Sequence, residues 1–250
     1  MSRFSFSAAV LAFALVAARG MRADDEAAAR AIVDKAIKAS GGEAELSKYK
    51  ASSSKMKGTV HTQGMELPFT GEIFSQGAEQ QRIEAEIEVE NQKFSFVSVL
   101  NRDKAWMKIA AETSEMDEDK LVETKEAAHA GWVATLAPLK DKEYKLATVG
   151  EAKVGDELAL GVRVSRKGRR DVNLYFDKKT HLLVKTETRV KDDETGQEVT
   201  EESFLSGHAD KGLRQAMKLS IKRDGKPYVE AELTEFKAEE KLDDSVFGKP

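Results

Sequence analysis

The sequence predicts a mostly β fold of the α+β class: one strongly curved antiparallel sheet whose dry concave face is covered by amphipathic helices. Three observations predict it. Apolar and polar residues alternate with period two over roughly a dozen segments at even spacing. Helical periodicity is confined to the region after Asp24 and to residues 117–136. No low-complexity linker divides the 250 residues, so residues 24–250 read as one domain.

Residues 1–23 read as a signal peptide. Arg3 supplies a positive start, and SAAVLAFALVAA from Ser7 to Ala18 is an uncharged apolar stretch. Small residues follow at Ala18, Gly20 and Ala23, which places cleavage after Gly20 or Ala23. The stretch is shorter than the roughly 20 residues that a membrane helix needs. The chain has no cysteine, so no lipobox anchors it and no disulfide supports it. The reading is a protein delivered to the periplasm or secreted, with no transmembrane segment after cleavage.

DDEAAARAIVDKAIKASGG, from Asp24, is a helix with both ends marked. Acids at Asp24, Asp25 and Glu26 suit the positive end of the helix dipole, and Gly41 and Gly42 terminate it. EAELSKY adds a short turn. From Ser52 the period becomes two. Met56, Gly58 and Val60 share one face, and Leu67, Phe69, Gly71 and Ile73 continue it beyond a turn at Gly64. In RIEAEIEVE, Ile83, Ala85, Ile87 and Val89 face one way and Arg82, Glu84, Glu86, Glu88 and Glu90 the other. That pattern is a sheet with one dry and one wet face. KFSFVSVL and AWMKIA follow.

Residues 117–136 return to helical spacing, with Leu121, Ala128, Trp132 and Leu136 on one stripe and Lys120, Glu123, Lys125 and Glu126 on a charged face. Pro138 bars continuation. Seven more strands follow: YKLATV, LALGVRVS, VNLYFD, LLVKTETRV, EVTEESFL, AMKLSIKR and YVEAELTEFK. Their turns are KGRR, DKKTH, DDETG, GHADKG and RDGK. Val172, Leu174 and Phe176 share a phase and should face the interior.

The net charge is −4. Removing residues 1–23 deletes Arg3, Arg19 and Arg22 and no acid, leaving the remainder more acidic. A nucleic-acid partner is not expected; the one basic cluster, RKGRR at 166–170, reads as a solvated turn. The histidines are His61, His129, His181 and His208, and no two stand at i, i+4. No metal site or cofactor is expected. There is no G-x-S-x-G, P-loop or G-x-G-x-x-G, and the carboxylates fall on wet phases or in turns. No catalytic residue is expected, and the chain does not read as an enzyme.

Several stretches carry a resemblance: AIVDKAIKASGGEAELSKYK, NRDKAWMKI, LAPLKDKEYKLATVGEAKVGDELALGVRVS, LYFDKKTHLLVKTE and EAELTEFKAEEKLDDSVFGKP. The most specific are the Tyr175-Phe176-Asp177 turn with Leu182-Leu183, and the ending from Leu242-Asp243-Asp244 to Phe247 and Pro250. Together they resemble the exported bacterial LolA/LppX-like superfamily, which includes outer-membrane lipoprotein-sorting proteins. The resemblance covers nearly all of residues 25–250. It implies an incomplete barrel closed by helices around an apolar cavity, and a lipid or lipoprotein acyl chain as partner.

Read onto this chain, the candidate cavity residues are Leu67, Phe69, Ile73, Ile83, Ile87, Phe94, Phe96 and Trp106 from strands, Leu121, Trp132 and Leu136 from the central helix, and Leu174 and Phe176 from the VNLYFD strand. Two functions remain open: a periplasmic carrier or sensor of acyl chains, and a non-enzymatic module with a filled core that binds an envelope protein.

Overall fold

Period-two alternation builds the sheet, and the register decides which residues share a face. A computed structural model describes residues 23–90, 92–192 and 195–250. The expected signal peptide lies, apart from Ala23, outside them. Helix α1 (Ala23–Ala39) stops at Gly41 and Gly42, both with positive φ, and α2 (Glu43–Lys48) follows. Strands β1 (Ala51–Thr62), β2 (Met65–Gln76), β3 (Gln80–Val89), β4 (Gln92–Asn101), β5 (Lys104–Ile109) and β6 (Glu112–Glu115) make an antiparallel meander. Helix α3 (Glu118–Ala134) is capped by the Asp117 side chain, which accepts from the Lys120 N–H, and a 3-10 turn, Ala137–Lys140, ends it.

A second meander follows: β7 (Lys145–Val154), β8 (Glu157–Ser165), β9 (Val172–Asp177), β10 (Leu183–Lys191) and β11 (Glu198–Ser206). A small ribbon of β12 (Ala209–Asp210) and β13 (Arg214–Gln215) interrupts it before β14 (Lys218–Arg223) and β15 (Lys226–Glu239). The ribbon occupies the segment read as the turn GHADKG, and β6, the polar ETSE, is a strand that alternation did not reveal.

Pairing of β1 with β15 joins the meanders into one sheet of 13 strands, in the order β6-β5-β4-β3-β2-β1-β15-β14-β11-β10-β9-β8-β7. Its ends, β6 and β7, do not pair with each other, so the barrel is incomplete. Its curvature follows from α3, which touches β4 and β5 on one side and β9 and β10 on the other. Strands β4 and β10 stand seven places apart in the order. In a flat sheet that is about 34 Å at ~4.8 Å per strand, more than the roughly 25 Å length of a 17-residue helix. The sheet must fold round for one helix to reach both. Gly58 contributes at the centre of β1: a Cβ there would overlap the Glu230 carbonyl and meet the Phe69 ring at 2.8 Å.

The main core lies where α1 covers β7 and β8. Val33, Ala36 and Ile37 pack with Leu146, Val162, Val164, Leu174 and Phe176. Val172, Leu174 and Phe176 are all buried on the phase that the alternation predicts. The convex face has its own cover near the C-terminus. Asn101 donates to the Phe247 carbonyl, Arg82 to the Val246 carbonyl and Thr113 Oγ1 to the Pro250 carbonyl. Residues 246–250 thus form a strap from β3 to β6 that buries Phe247.

Candidate functional site beneath the central helix

Helix α3 crosses the concave mouth and is tied down by charge at both sides. Both Arg170 guanidinium nitrogens donate to the two Glu123 carboxylate oxygens at 2.6 Å. Those bonds hold the Glu123 carboxyl below its ordinary value, and reciprocally raise Arg170. Glu126 accepts from Arg169 at 3.2 Å and from the Arg170 backbone N–H at 2.8 Å. On the other side Lys125 donates to Asp103 at 2.9 Å. RKGRR is a turn, as the sequence reads, with Lys167 and Gly168 exposed, but Arg169 and Arg170 are half-buried in ion pairs, and Glu123, Lys125 and Glu126 are not the wet helix face expected. These charges sit over the strand ends, where oppositely charged partners meet them.

Two small packing groups anchor α3. Leu121 and Ala128 pack over Leu100 and Ala105, and Val133 joins the main core. His129 is 1% exposed and stacks on Tyr144, with ring centroids 5.9 Å apart. Neither ring nitrogen has a hydrogen-bond partner among the described residues. Burial pushes its pKa down to about 4, against the Glu126 charge. His129 is therefore a neutral packing residue at neutral pH.

Between these anchors the helix does not fill the space. A cavity of about 290 Å³ lies between the C-terminal half of α3, the α2–β1 corner and the concave face. Its floor and walls include the buried side chains Leu46, Ala51, Leu136, Leu183 and Ala216. Ile73, Leu205, Leu213, Leu233, Phe236 and Trp132 add to the apolar lining. The mouth is marked by exposed lining residues: Lys50, Gly131, Thr135 and Arg214. The ribbon segment stands at this mouth. Leu213 touches the main core, the Arg214 N–H donates to the Ser40 carbonyl at 3.1 Å, and His208 Nε2 lies 3.0 Å from the Leu183 carbonyl. Burial lowers the His208 pKa, and the Arg214 charge adds to that.

The structure distributes the 13 sequence-predicted residues unevenly. Ile73, Trp132 and Leu136 line the cavity. Leu67, Phe69, Ile83, Ile87, Phe94 and Phe96 share the concave face with Ile73, as the pairs Ile73–Ile83, Phe69–Ile87 and Ile87–Phe94 require. None of them lines the cavity, however, and the far end of this face is not roofed: Phe94 is 52% exposed, and Ile109, beside Phe96, is 61% exposed. Leu121 is used in the anchor over Leu100. Leu174 and Phe176, both on β9, are sealed in the main core with Val33 and Ile37 of α1 and Val133 of α3. Trp106 is on the other face altogether. It pairs with Val99, one residue out of phase with the helix-covered Leu100 and Ala105.

No protein-family model matches the chain, and no curated protein does. Solved structures do match. A LolA superfamily protein from Nitrosomonas europaea is 14% identical, over 88% of this chain and 97% of that one, with a TM-score of 0.56. An outer-membrane lipoprotein-sorting protein domain from Vibrio parahaemolyticus gives 10% identity, the same two coverages and a TM-score of 0.56. A DUF1329 family protein from Desulfovibrio piger gives 12%, again 88% and 97%, and 0.55. The chain has the LolA-like fold.

Identities this low establish architecture alone, so the chemistry of the cavity under α3 is read from its own side chains. Several were not singled out from sequence. Leu205 and Leu213 look like ordinary strand or turn residues, Leu183 stood out only through the Leu182-Leu183 resemblance and not as a cavity residue, and Lys50 and Arg214 look like ordinary surface cations. Phe236 carried a signal, as one aromatic in the YVEAELTEFK alternation. Among the described residues, no helix is long and apolar enough to cross a membrane, and no group of three His, Cys, Asp or Glu could hold a metal ion.

Proposed function

We propose that the protein is a soluble, exported carrier or sensor of lipid or lipoprotein acyl chains. In this reading residues 1–23 are a leader removed on export, and residues 24–250 form the binding domain, which works without a catalytic step. One observation carries the proposal: an apolar cavity under α3 continues into an unroofed apolar stretch of the same concave face. Apolar burial contributes about 25 cal/mol per Å², so an alkyl chain laid along that path gains affinity with little polar chemistry. The LolA-like fold, shared with a lipoprotein-sorting domain, supports the reading.

A second reading is a module that binds an envelope protein, favoured by exposed Phe94 and Ile109. Native mass spectrometry of protein gently extracted from its host separates the two. Co-purifying lipid supports the carrier; a clean apo mass under mild conditions supports the module.

A further inference from the structure

From the charge of the cavity wall we infer that the ligand is a long-chain amphiphile with an anionic head group, held by Lys50 and Arg214 at the mouth. The inference rests on the acyl-carrier reading and names the ligand's polar end.

The chain carries 44 acidic residues against 40 basic ones. Acids are therefore slightly commoner than bases overall. Yet no Asp or Glu lines the cavity, while Lys50 and Arg214 do. Both are exposed, and among the described residues neither side chain has an ion-pair partner. Most cations near α3 are matched: Arg169 and Arg170 to Glu126 and Glu123, Lys125 to Asp103, Lys191 to Asp119.

The two cations come from different elements. Lys50 stands in the α2–β1 corner, just before β1, and Arg214 on the ribbon, whose backbone is tied to Ser40. Below them the lining is apolar or neutral, with His208 kept uncharged by burial. The cavity therefore has an apolar floor and a positive rim. An alkyl chain satisfies the floor. A carboxylate or phosphate at its end meets two unpaired cations without leaving water, so its desolvation cost is small. A cationic head would meet repulsion there, and a neutral one would gain nothing from the rim.

The test compares probes of equal chain length by isothermal titration calorimetry, all below their micelle concentrations. Myristate is set against monomyristoylglycerol, and myristoyl-lysophosphatidylglycerol against myristoyl-lysophosphatidylcholine. The anionic member of each pair should bind about fivefold to tenfold tighter, by a margin that shrinks as salt is raised. Whether the carboxylate or the phosphate pair shows the larger margin distinguishes a free fatty acid from a phospholipid as the source.

In Lys50→Gln/Arg214→Gln the preference should vanish while the neutral probe binds as before. Both side chains are exposed and unpaired, so the variant should keep the circular dichroism spectrum of the wild type. Equal affinity within both pairs for the wild type overturns the anionic head group and leaves the carrier standing. Preference retained in the double variant overturns the assignment to Lys50 and Arg214. No binding of any probe overturns the carrier and this inference together.

Discussion

Arg170 grips Glu123 with two parallel hydrogen bonds of 2.6 Å across 47 residues of sequence. Arg170 sits in the β8–β9 turn and Glu123 on the second turn of α3. The fork fixes where the helix crosses the sheet, and that position decides which part of the concave face is roofed. A helix held at its rims by charge need not be packed solid along its length, and the cavity lies under its C-terminal half, beside the buried Ala128 and Val133.

Arg170→Ala should therefore loosen α3 from the sheet. Charge-assisted, bidentate pairs are the stronger ones, but each side chain here is 25% exposed. A loss of about 1–2 kcal/mol is expected. The Glu123 carboxyl is held below its ordinary 4.5, chiefly by Arg170. Its contribution is thus complete above that value and is lost as pH falls through the lower folded-state value. Urea melts of wild type, Arg170→Ala, Glu123→Ala and the double variant give the coupling. It should shrink as pH is lowered below 4.5; a coupling that stays constant with pH would refute the ion-pair account.

His129 should make the fold acid-sensitive in a different window. Its ordinary value is 6.5 and burial lowers it to about 4. The unfolded chain binds this proton first, so stability is undiminished above 6.5 and falls as pH drops toward 4. The span corresponds to about 3 kcal/mol at ~1.36 kcal/mol per pH unit. His129→Phe keeps a ring against Tyr144 and removes the proton. The stability difference between variant and wild type should drift in the variant's favour over that window. A difference independent of pH would show that His129 is not held neutral.

Phe176 is 1% exposed in the core beneath α1. Truncation to Ala should cost about 3–5 kcal/mol. Lys178 and Lys179, in the adjacent turn, should tolerate Ala within about 0.5 kcal/mol, although they reach Glu151 and Glu157. Urea denaturation of the three variants checks the contrast. A Phe176→Ala protein as stable as wild type would contradict the packing.

Period two made the large sheet legible because each dry phase, such as Ile83-Ala85-Ile87-Val89, is written directly in the chain. The location of the cavity was not legible in the same way. The dry face is longer than the helix that covers it, so Phe69 and Phe94 look identical to Ile73 in sequence. What separates them is the placement of α3, set by partners as remote as Glu123 and Arg170. Trp106 failed for a local reason. In KAWMKI the phase of Trp106 also carries Lys104 and Lys108, and its register with Val99 puts that phase on the convex face; the aromatic ring outweighed the alternation. ETSE carries no apolar residue and its pairing as β6 depends on β5 alone. Arg170 itself was read as a solvated turn residue because nothing nearby in sequence announces its partner.

The cavity predicts a fluorescence signal that a solid core could not give. Trp132 lines the cavity from α3, whereas Trp106 lies on the opposite face of the sheet. They are the only two tryptophans, so Trp106→Phe leaves Trp132 as the sole reporter, and Trp132→Phe provides a blank. Long-chain acyl lipids added below their micelle concentration should shift or quench Trp132 saturably and leave the blank unchanged. Close-packed interiors contain few voids larger than a water molecule, so a helix sitting on a filled core would admit no chain and its tryptophan would stay silent. Arg170→Ala adds a second reading. If the fork positions the roof, loosening it should weaken the titration while Trp132 still responds. A flat titration across several lipid classes, in protein with native circular dichroism, would favour the module that binds an envelope protein.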